Sequence, residues 1–183
     1  TRSPRVLGSS NLEYTKSSGL YKLKNASDVY TIMNGKKHLI SSPESFEDYG
    51  YSWNKIKTVS KEFLDKYPYA RLIKLPGDSK IYYLYQRPQN QWLKIHIPTA
   101  TAFVSYPSNY WGDVITINTF DFNSYPDVQL IKTQDVPGVY LLEKNTIHLF
   151  TSAEAFEKRG MNWSEIVTVS KQHLESYIVG ILY

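Results

Sequence analysis

Three of the four histidines stand 15 residues before a tryptophan, which makes them candidates for a shared metal site. They are His38, His96 and His148. Zinc accepts three imidazole nitrogens and a water in its tetrahedral shell. Such a site requires equivalent histidines to converge on the axis of a closed ring. In an open array each histidine instead packs or hydrogen-bonds locally. The open array is the favoured arrangement, so neither a metal nor another cofactor is predicted.

Six polar and aromatic residues interrupt the pattern in the middle of the chain and are the candidates for ligand binding. They are Arg87, Asn90, Trp92, Tyr106, Asn109 and Tyr110. A ring beside amide and guanidinium groups suits a ligand rich in hydroxyls, and insertions on a repeated scaffold often mark its working face. Neutral loop variation, with Trp92 folded back on its neighbours, is the alternative.

Catalytic motifs are missing from the sequence. It contains no G-x-S-x-G, no H-E-x-x-H, no phosphate-binding glycine loop and no dinucleotide fingerprint. It also contains no cysteine, which excludes thiolate chemistry. The recurring acids Glu44 and Glu154 are explained by helix capping. We therefore expect that the chain is not an enzyme.

The charge of the chain is modestly positive, at +4 with a pI near 9.0. Such an excess favours acidic partners. The lysines are spread singly or in pairs, as at Lys36 and Lys37, so a nucleic-acid track is not predicted. The longest apolar stretch near the end, 178–183, is far below the roughly 20 residues that a membrane span needs, and no span is predicted.

The dominant feature of the sequence is a repeat with a period of about 52 residues. Its tryptophans are Trp53, Trp111 and Trp163. The predicted divisions are a leader or linker at 1–19, and units at 20–71, 72–129 and 130–183, with a hairpin insertion at 86–92 in the middle unit. Units of this size bury too little surface alone, so neighbours are expected to share a core. The repeated tryptophans and tyrosines are assigned to that core.

Each unit repeats one order of local signals: an opening strand, a hairpin, a helix, a β-branched strand and a second helix. Asn34-Gly35 suits a type I′ turn between hairpin strands. The first helix is predicted to be capped by Ser41 with Glu44, and by Thr151 with Glu154. The remaining predicted signals are helix-ending glycines and caps for the second helix: Gly50, Gly160, Ser60, Asn118 and Ser170.

The opening-strand pattern occurs a fourth time, as Leu182 and Tyr183. A closed ring would have no use for a fourth copy. The predicted fold is therefore α+β, with three tandem units of hairpin, helix, strand and helix in an open array. Each unit shares a strand with the next, and the last strand caps the end.

The pattern VY(x)3NGKKHLISSPESF(x)3GY(x)W(x)2I(x)2VS(x)3L(x)2Y resembles a tandem repeat of roughly fifty residues in exported and cell-surface proteins of bacteria. In that family the repeats are often attached to cell-wall hydrolases. The resemblance covers 20–183, and it implies an accessory extracellular module that binds or spaces. The middle unit departs from it, because it lacks the Asn-Gly turn and the Gly-Tyr before its tryptophan.

The expected function is that of a non-catalytic module at the bacterial surface. It would bind cell-wall or other glycan, or hold a surface protein in place. The alternative is a structural subunit that packs against copies of itself in a surface layer or fibre through strand edges.

Overall fold

The computed structural model describes residues 13–88 and 91–183. In this part the chain forms three small mixed sheets and six short helices, which confirms the predicted α+β class. Within the same residues no helix is long and apolar enough to span a membrane.

The strands are short and fall into three groups along the chain. The first sheet contains β1 (Ser17–Leu23), β2 (Val29–Met33), β3 (Lys36–Leu39) and β4 (Ile56–Val59). The second contains β5 (Leu72–Lys74), β6 (Ile81–Gln86), β7 (Trp92–Ile97) and β8 (Val114–Thr116). The third contains β9 (Leu130–Lys132), β10 (Tyr140–Glu143), β11 (Thr146–Leu149), β12 (Val167–Thr168) and β13 (Ile178–Val179).

Two helices accompany each sheet. They are α1 (Pro43–Asp48) and α2 (Lys61–Asp65), α3 (Ala100–Val104) and α4 (Thr119–Ser124), and α5 (Ala153–Lys158) and α6 (Lys171–Glu175). A short 3₁₀ turn begins at each of the tryptophans Trp53, Trp111 and Trp163.

The strand order is β3-β2-β1-β4 in the first sheet, β7-β6-β5-β8 in the second and β12-β9-β10-β11-β13 in the third. In each sheet the opening strand pairs antiparallel with the hairpin and parallel with the strand that follows the first helix. Parallel pairing requires a crossover connection, and the first helix of each group lies in it. The helix and the 3₁₀ turn are thereby placed at the end of the hairpin.

One backbone segment links each sheet to the next. Tyr69 forms a parallel bridge to Lys37 on β3, three residues before β5 begins in the second sheet. Asp127 forms the same bridge to Lys94 on β7, three residues before β9 begins in the third. The edge of one sheet is therefore closed by the segment that opens the next.

The C-terminal strand forms earlier than the sequence predicts. β13 pairs with β11 through Ile178 and Val179, whereas Leu182 is outside any strand. Gly180 allows this path, because an added Cβ would lie 2.4 Å from the His148 ring. The Tyr183 N–H still donates to the Leu149 carbonyl at 2.9 Å.

The N-caps of the first helices lie one residue later than the prediction of Ser41 and Thr151. Ser42 and Ser152 accept from the third amide beyond, and in the second sheet Thr99 does so. The proline that follows Ser42 occupies the first helical position, which it favours. The Ser41 amide and the Thr151 hydroxyl have other partners.

The other local signals are confirmed. The caps Ser60, Asn118 and Ser170 accept backbone amides at 2.9–3.3 Å. Asn34 and Gly35 have φ of 49° and 70°, and Gly50 and Gly160 have φ of 70° and 69°.

The apolar core is shared between neighbouring sheets, as expected for small units. Leu93 and Ile95 of the second sheet pack with Ile131, Ile147 and Val167 of the third. Another cluster joins Met33 of the first sheet to Ile73, Leu84 and Ile115 of the second. The sheets therefore depend on one another for burial.

Part of the predicted leader lies against the sheets. β1 begins at Ser17, and Thr15 exchanges hydrogen bonds with Thr116, the last residue of β8. Tyr14 donates to Asp48 at 2.7 Å. The remainder of the predicted leader, 1–12, lies outside the described residues.

Candidate ligand-binding surface

Trp92 is partly buried and does not present a free ring. Its indole lies 5.0 Å from the Tyr69 ring, and the Arg71 guanidinium lies 4.8 Å from it on the segment that arrives from the first sheet. It also packs against the core that the first and second sheets share. The structure therefore has the alternative arrangement, a Trp92 side chain folded on its neighbours, while ligand binding by Trp92 stays a prediction.

Most of the other predicted ligand residues have partners within the protein. Arg87 donates to the Glu165 carbonyl of the third group. Asn109 donates to the Phe103 carbonyl at 3.0 Å. Tyr106 donates to His173 Nδ1 at 2.7 Å. Asn90 lies outside the described residues.

Tyr110 is a predicted ligand-binding residue whose side chain is exposed to solvent. Its side chain is 70% exposed, next to Trp111 in sequence. Its ring lies against Gly112, where an added Cβ would stand 2.8 Å from it. A glycine at this position lets the tyrosine ring fold over the backbone of the 3₁₀ turn.

The three repeated tryptophans are half exposed, although the sequence assigns them to the core. The exposed fractions are 51% for Trp53, 52% for Trp111 and 48% for Trp163. One face of each indole is covered by a buried phenylalanine of the first helix. The pairs are Phe46–Trp53, Phe103–Trp111 and Phe156–Trp163, with centroids 4.0, 3.8 and 4.0 Å apart and interplanar angles of 22°, 15° and 29°.

Local sequence explains why each tryptophan returns to its phenylalanine. Each of these helices buries its phenylalanine against the sheet and ends one or two residues later. In the first group Gly50 takes the left-handed conformation that reverses the chain, and the Tyr51 amide donates to the Phe46 carbonyl at 3.2 Å. The 3₁₀ turn then begins with its tryptophan. The indole lies on the phenylalanine while its other face is left to solvent.

The predicted histidine column does not hold at His96. Strand pairing places His38 opposite Thr31 and His148 opposite Leu141, each one residue after the first tyrosine of its hairpin. His96 lies opposite that tyrosine itself, Tyr82. Because side chains alternate between faces, His96 points to the other side of its sheet. The shift arises because Phe103 precedes its tryptophan by eight residues instead of the seven found in the other groups.

The three histidines also have separate partners. His38 donates to Asp121 at 2.7 Å, His148 Nδ1 lies 3.1 Å from the Ile181 carbonyl, and the His96 side chain lies against that of Asn145. Among the described residues no three potential ligands are grouped for a metal ion. The convergent zinc site, kept above as an alternative, is therefore wrong.

Buried polar networks join neighbouring sheets. Between the first and second, Asp121 accepts from the Ser41 amide, the Ser45 and Tyr49 hydroxyls and His38, at 2.6–2.9 Å. Burial by itself raises the pKa of Asp121, but the His38 and serine hydrogen bonds outweigh it and hold the pKa at about 2. The carboxylate is therefore charged at neutral pH.

His173 occupies the corresponding place between the second and third sheets. Both residues stand three positions after the cap of the second helix, Asn118 or Ser170. His173 Nε2 donates to the His96 carbonyl at 2.8 Å, so Nδ1 accepts from the Tyr106 hydroxyl. Burial lowers the pKa of His173 to about 4. In the sequence, Asp121 and His173 can be recognised as polar side chains at the third position after the cap of the second helix, where that short helix faces the neighbouring sheet.

No protein-family model matches the chain, and no curated protein matches it. One solved structure to which the chain is similar is that of the periplasmic assembly from the ESX-5 inner membrane complex. The identity is 10% and the TM-score 0.30, over 94% of this chain and 70% of that one. So low a score supports no conclusion about shared fold or function.

Proposed function

We propose that the chain is a non-catalytic module of the bacterial cell surface that binds cell-wall or other glycan through Trp53, Trp111 and Trp163. The observation that carries the proposal is that each indole has one face held by a buried phenylalanine and the other face open. A fixed flat ring stacks against the apolar face of a sugar with little loss of side-chain freedom.

We further propose that the three sheets are the units 20–71, 72–129 and 130–183 of one tandem array. The corresponding strand orders, the recurring Phe–Trp pairs and the segments that link sheet to sheet support this assignment. The resemblance of the sequence pattern to repeats of exported bacterial proteins supports the surface location. An array with one ring per unit suits a polymer, because linked weak sites gain affinity through effective concentration.

The experiment is co-sedimentation of the protein with purified peptidoglycan, together with titration by soluble wall oligosaccharides. Each tryptophan is replaced by leucine, singly and all together, because leucine keeps apolar cover over the phenylalanine but has no flat face. We expect each single change to weaken binding about fivefold, for roughly 1 kcal/mol of stacking, and the triple change to abolish it.

The matched control is Phe120→Leu, at an aromatic residue that is 48% exposed and belongs to no Phe–Trp pair. This control should bind as the wild type does. If the triple leucine variant still sediments with peptidoglycan while circular dichroism reports the native fold, the tryptophans do not bind glycan.

A second candidate function, a self-assembling surface subunit, is favoured by a different observation. The C-terminal segment exposes four apolar side chains: Ile178, Val179, Ile181 and Leu182. Ile178 and Val179 form β13, an edge strand, Ile181 and Leu182 follow it, and edge strands pair with other chains. Analytical ultracentrifugation distinguishes the two candidates. A subunit of this kind self-associates, and Val179→Lys disperses it, whereas the glycan module sediments as a monomer.

A further inference from the structure

An open cleft, named the second cleft, lies between the second and third sheets. It has a volume of about 560 Å³. Its floor is Tyr82 and His96 of the second sheet, and Asn145 comes from the hairpin turn of the third. Lys80, Lys94 and Lys144 also line it, with a single carboxylate, Asp127.

A corresponding first cleft lies between the first and second sheets, and it is smaller, at about 220 Å³. Tyr69 and Asp127 correspond, because each bridges the lysine of its hairpin strand. Trp92 and Asn145 correspond by strand register. Trp92 stands two residues before Lys94, which pairs with Leu84, and Asn145 stands two residues before Ile147, which pairs with Leu142. Two large rings therefore partly fill the first cleft, where the second has a carboxylate and an amide.

The charge of the two clefts also differs. The position of Lys80, two residues before the hairpin tyrosine, is Asp28 in the first cleft. Lys94 is buried and paired with Asp127 at 3.2 Å. Lys80 and Lys144 are exposed, and within the described residues neither has a carboxylate within ion-pairing distance. Burial lowers the pKa of His96, so the imidazole is neutral at pH 7. Two uncompensated ammonium groups thus remain at the second cleft.

Two further details concern the turn residues Asn145 and Lys144, which line this cleft. The side-chain oxygen of Asn145 is buried beside the His96 imidazole, and among the described residues it forms no hydrogen bond of full geometry. Such an atom is costly unless something donates to it. Lys144 has a φ of 58°, a left-handed conformation that asparagine or glycine adopts with less strain. The two-residue turn between β10 and β11 requires a positive φ at this position, which the first hairpin adopts at Asn34 with φ of 49°.

We propose that the second cleft binds a carboxylate or phosphate group on a hydroxyl-rich polymer. Lys80 and Lys144 neutralise the anion, and a neighbouring ligand hydroxyl donates to Asn145. The ligand of the proposed glycan-binding module would thus carry negative charge. That the ligand is a polymer rests on the proposed function.

The test measures binding of three probes by isothermal titration calorimetry. Oligogalacturonate carries carboxylates, poly(glycerol phosphate) carries phosphates, and a neutral galactose oligomer carries neither. We expect at least one anionic probe to bind about tenfold more tightly than the neutral oligomer at 0.05 M salt, and the advantage to shrink at 0.5 M salt. Comparison of the affinities for oligogalacturonate and poly(glycerol phosphate) shows whether the cleft prefers a carboxylate or a phosphate.

The decisive variant is Lys80→Ala with Lys144→Ala, which should remove the anionic advantage. Its control, Lys24→Ala with Lys158→Ala, changes the net charge equally at exposed residues away from the cleft and should retain it. Asn145→Trp, which introduces the ring that occupies the first cleft, should weaken anion binding without changing charge.

The outcomes separate this proposal from the proposed function. If the two double variants bind the anionic probes equally, or if no probe distinguishes anion from neutral sugar, the cleft is not an anion site. Loss of peptidoglycan binding in the tryptophan variants would in that case still support the glycan module. If neither set of variants changes binding, both proposals are overturned.

Discussion

Acid is expected to destabilise the junction between the second and third sheets through His173. The imidazole is buried and neutral, with Nε2 donating to the His96 carbonyl and Nδ1 accepting from Tyr106. A proton on Nδ1 would remove that acceptor and place a charge in the core. The folded pKa is about 4, against about 6.5 for an unfolded histidine. Between these values the unfolded chain binds more protons, so stability falls as pH is lowered.

The magnitude follows from the two pKa values. Between pH 7 and pH 4.5 the linkage relation gives a loss of about 2.5 kcal/mol in the free energy of unfolding. Asp121, with its pKa at about 2, contributes nothing in this range, because its stabilising charge is lost only below the unfolded value of about 3.9. The acid effect above pH 4.5 is thus assigned to histidine.

The assay is urea unfolding followed by tryptophan fluorescence at pH 7.0 and pH 4.5. With a slope of about 2 kcal/mol per molar urea, the wild-type midpoint should fall by about 1.2 M. His173→Gln keeps an amide donor for the His96 carbonyl and a carbonyl acceptor for Tyr106, but it does not titrate. Its midpoint should fall much less. If the difference in stability between wild type and variant is the same at both pH values, His173 is not the acid-sensitive group.

Four further substitutions test other features of the fold. Asp121→Asn should lower the free energy of unfolding by about 3 kcal/mol in urea titration, because four donors lose their buried, charged acceptor. The same change at exposed Asp127 should cost under about 1 kcal/mol. Phe103→Ala should cost about 3–4 kcal/mol and shift the tryptophan emission to longer wavelength; unchanged emission would contradict the stacked pair. Gly50→Ala should cost about 1 kcal/mol by thermal unfolding, since φ is 70° there, and a neutral result would argue against the left-handed turn. Lys144→Asn should add about 0.5 kcal/mol of stability, because asparagine tolerates the positive φ, while it weakens binding of anionic probes.

Local signals in the sequence predict much of the fold because their causes are local. Asn34-Gly35 specifies its turn through backbone conformation, and Asn118 caps its helix by bonding an amide three residues away. The caps of the first helices were predicted one residue too early, since Ser41 and Ser42 are both good caps and only the proline that follows separates them.

The candidate site was predicted poorly because its determinants come from distant segments. Trp92 reads as an exposed ring in an insertion, but Tyr69 and Arg71 arrive from the preceding sheet and cover it. Residue type alone assigns the repeated tryptophans to the core. Each indole keeps an open face because it stacks on one phenylalanine and the other side of its ring is left to solvent. His96 was misplaced because distances counted from Trp111 include an extra residue after Phe103.

The segments that leave one sheet and open the next have a consequence for the order in which the protein comes apart. The Lys94 amide donates to Pro126, and the Val128 amide donates to Lys94, a few residues before β9 begins. Melting β7 therefore frees the strand that starts the third sheet, and hydrogen-exchange protection should be lost in both sheets together. We expect β7 and β9 to behave as one cooperative exchange unit, although they belong to different sheets.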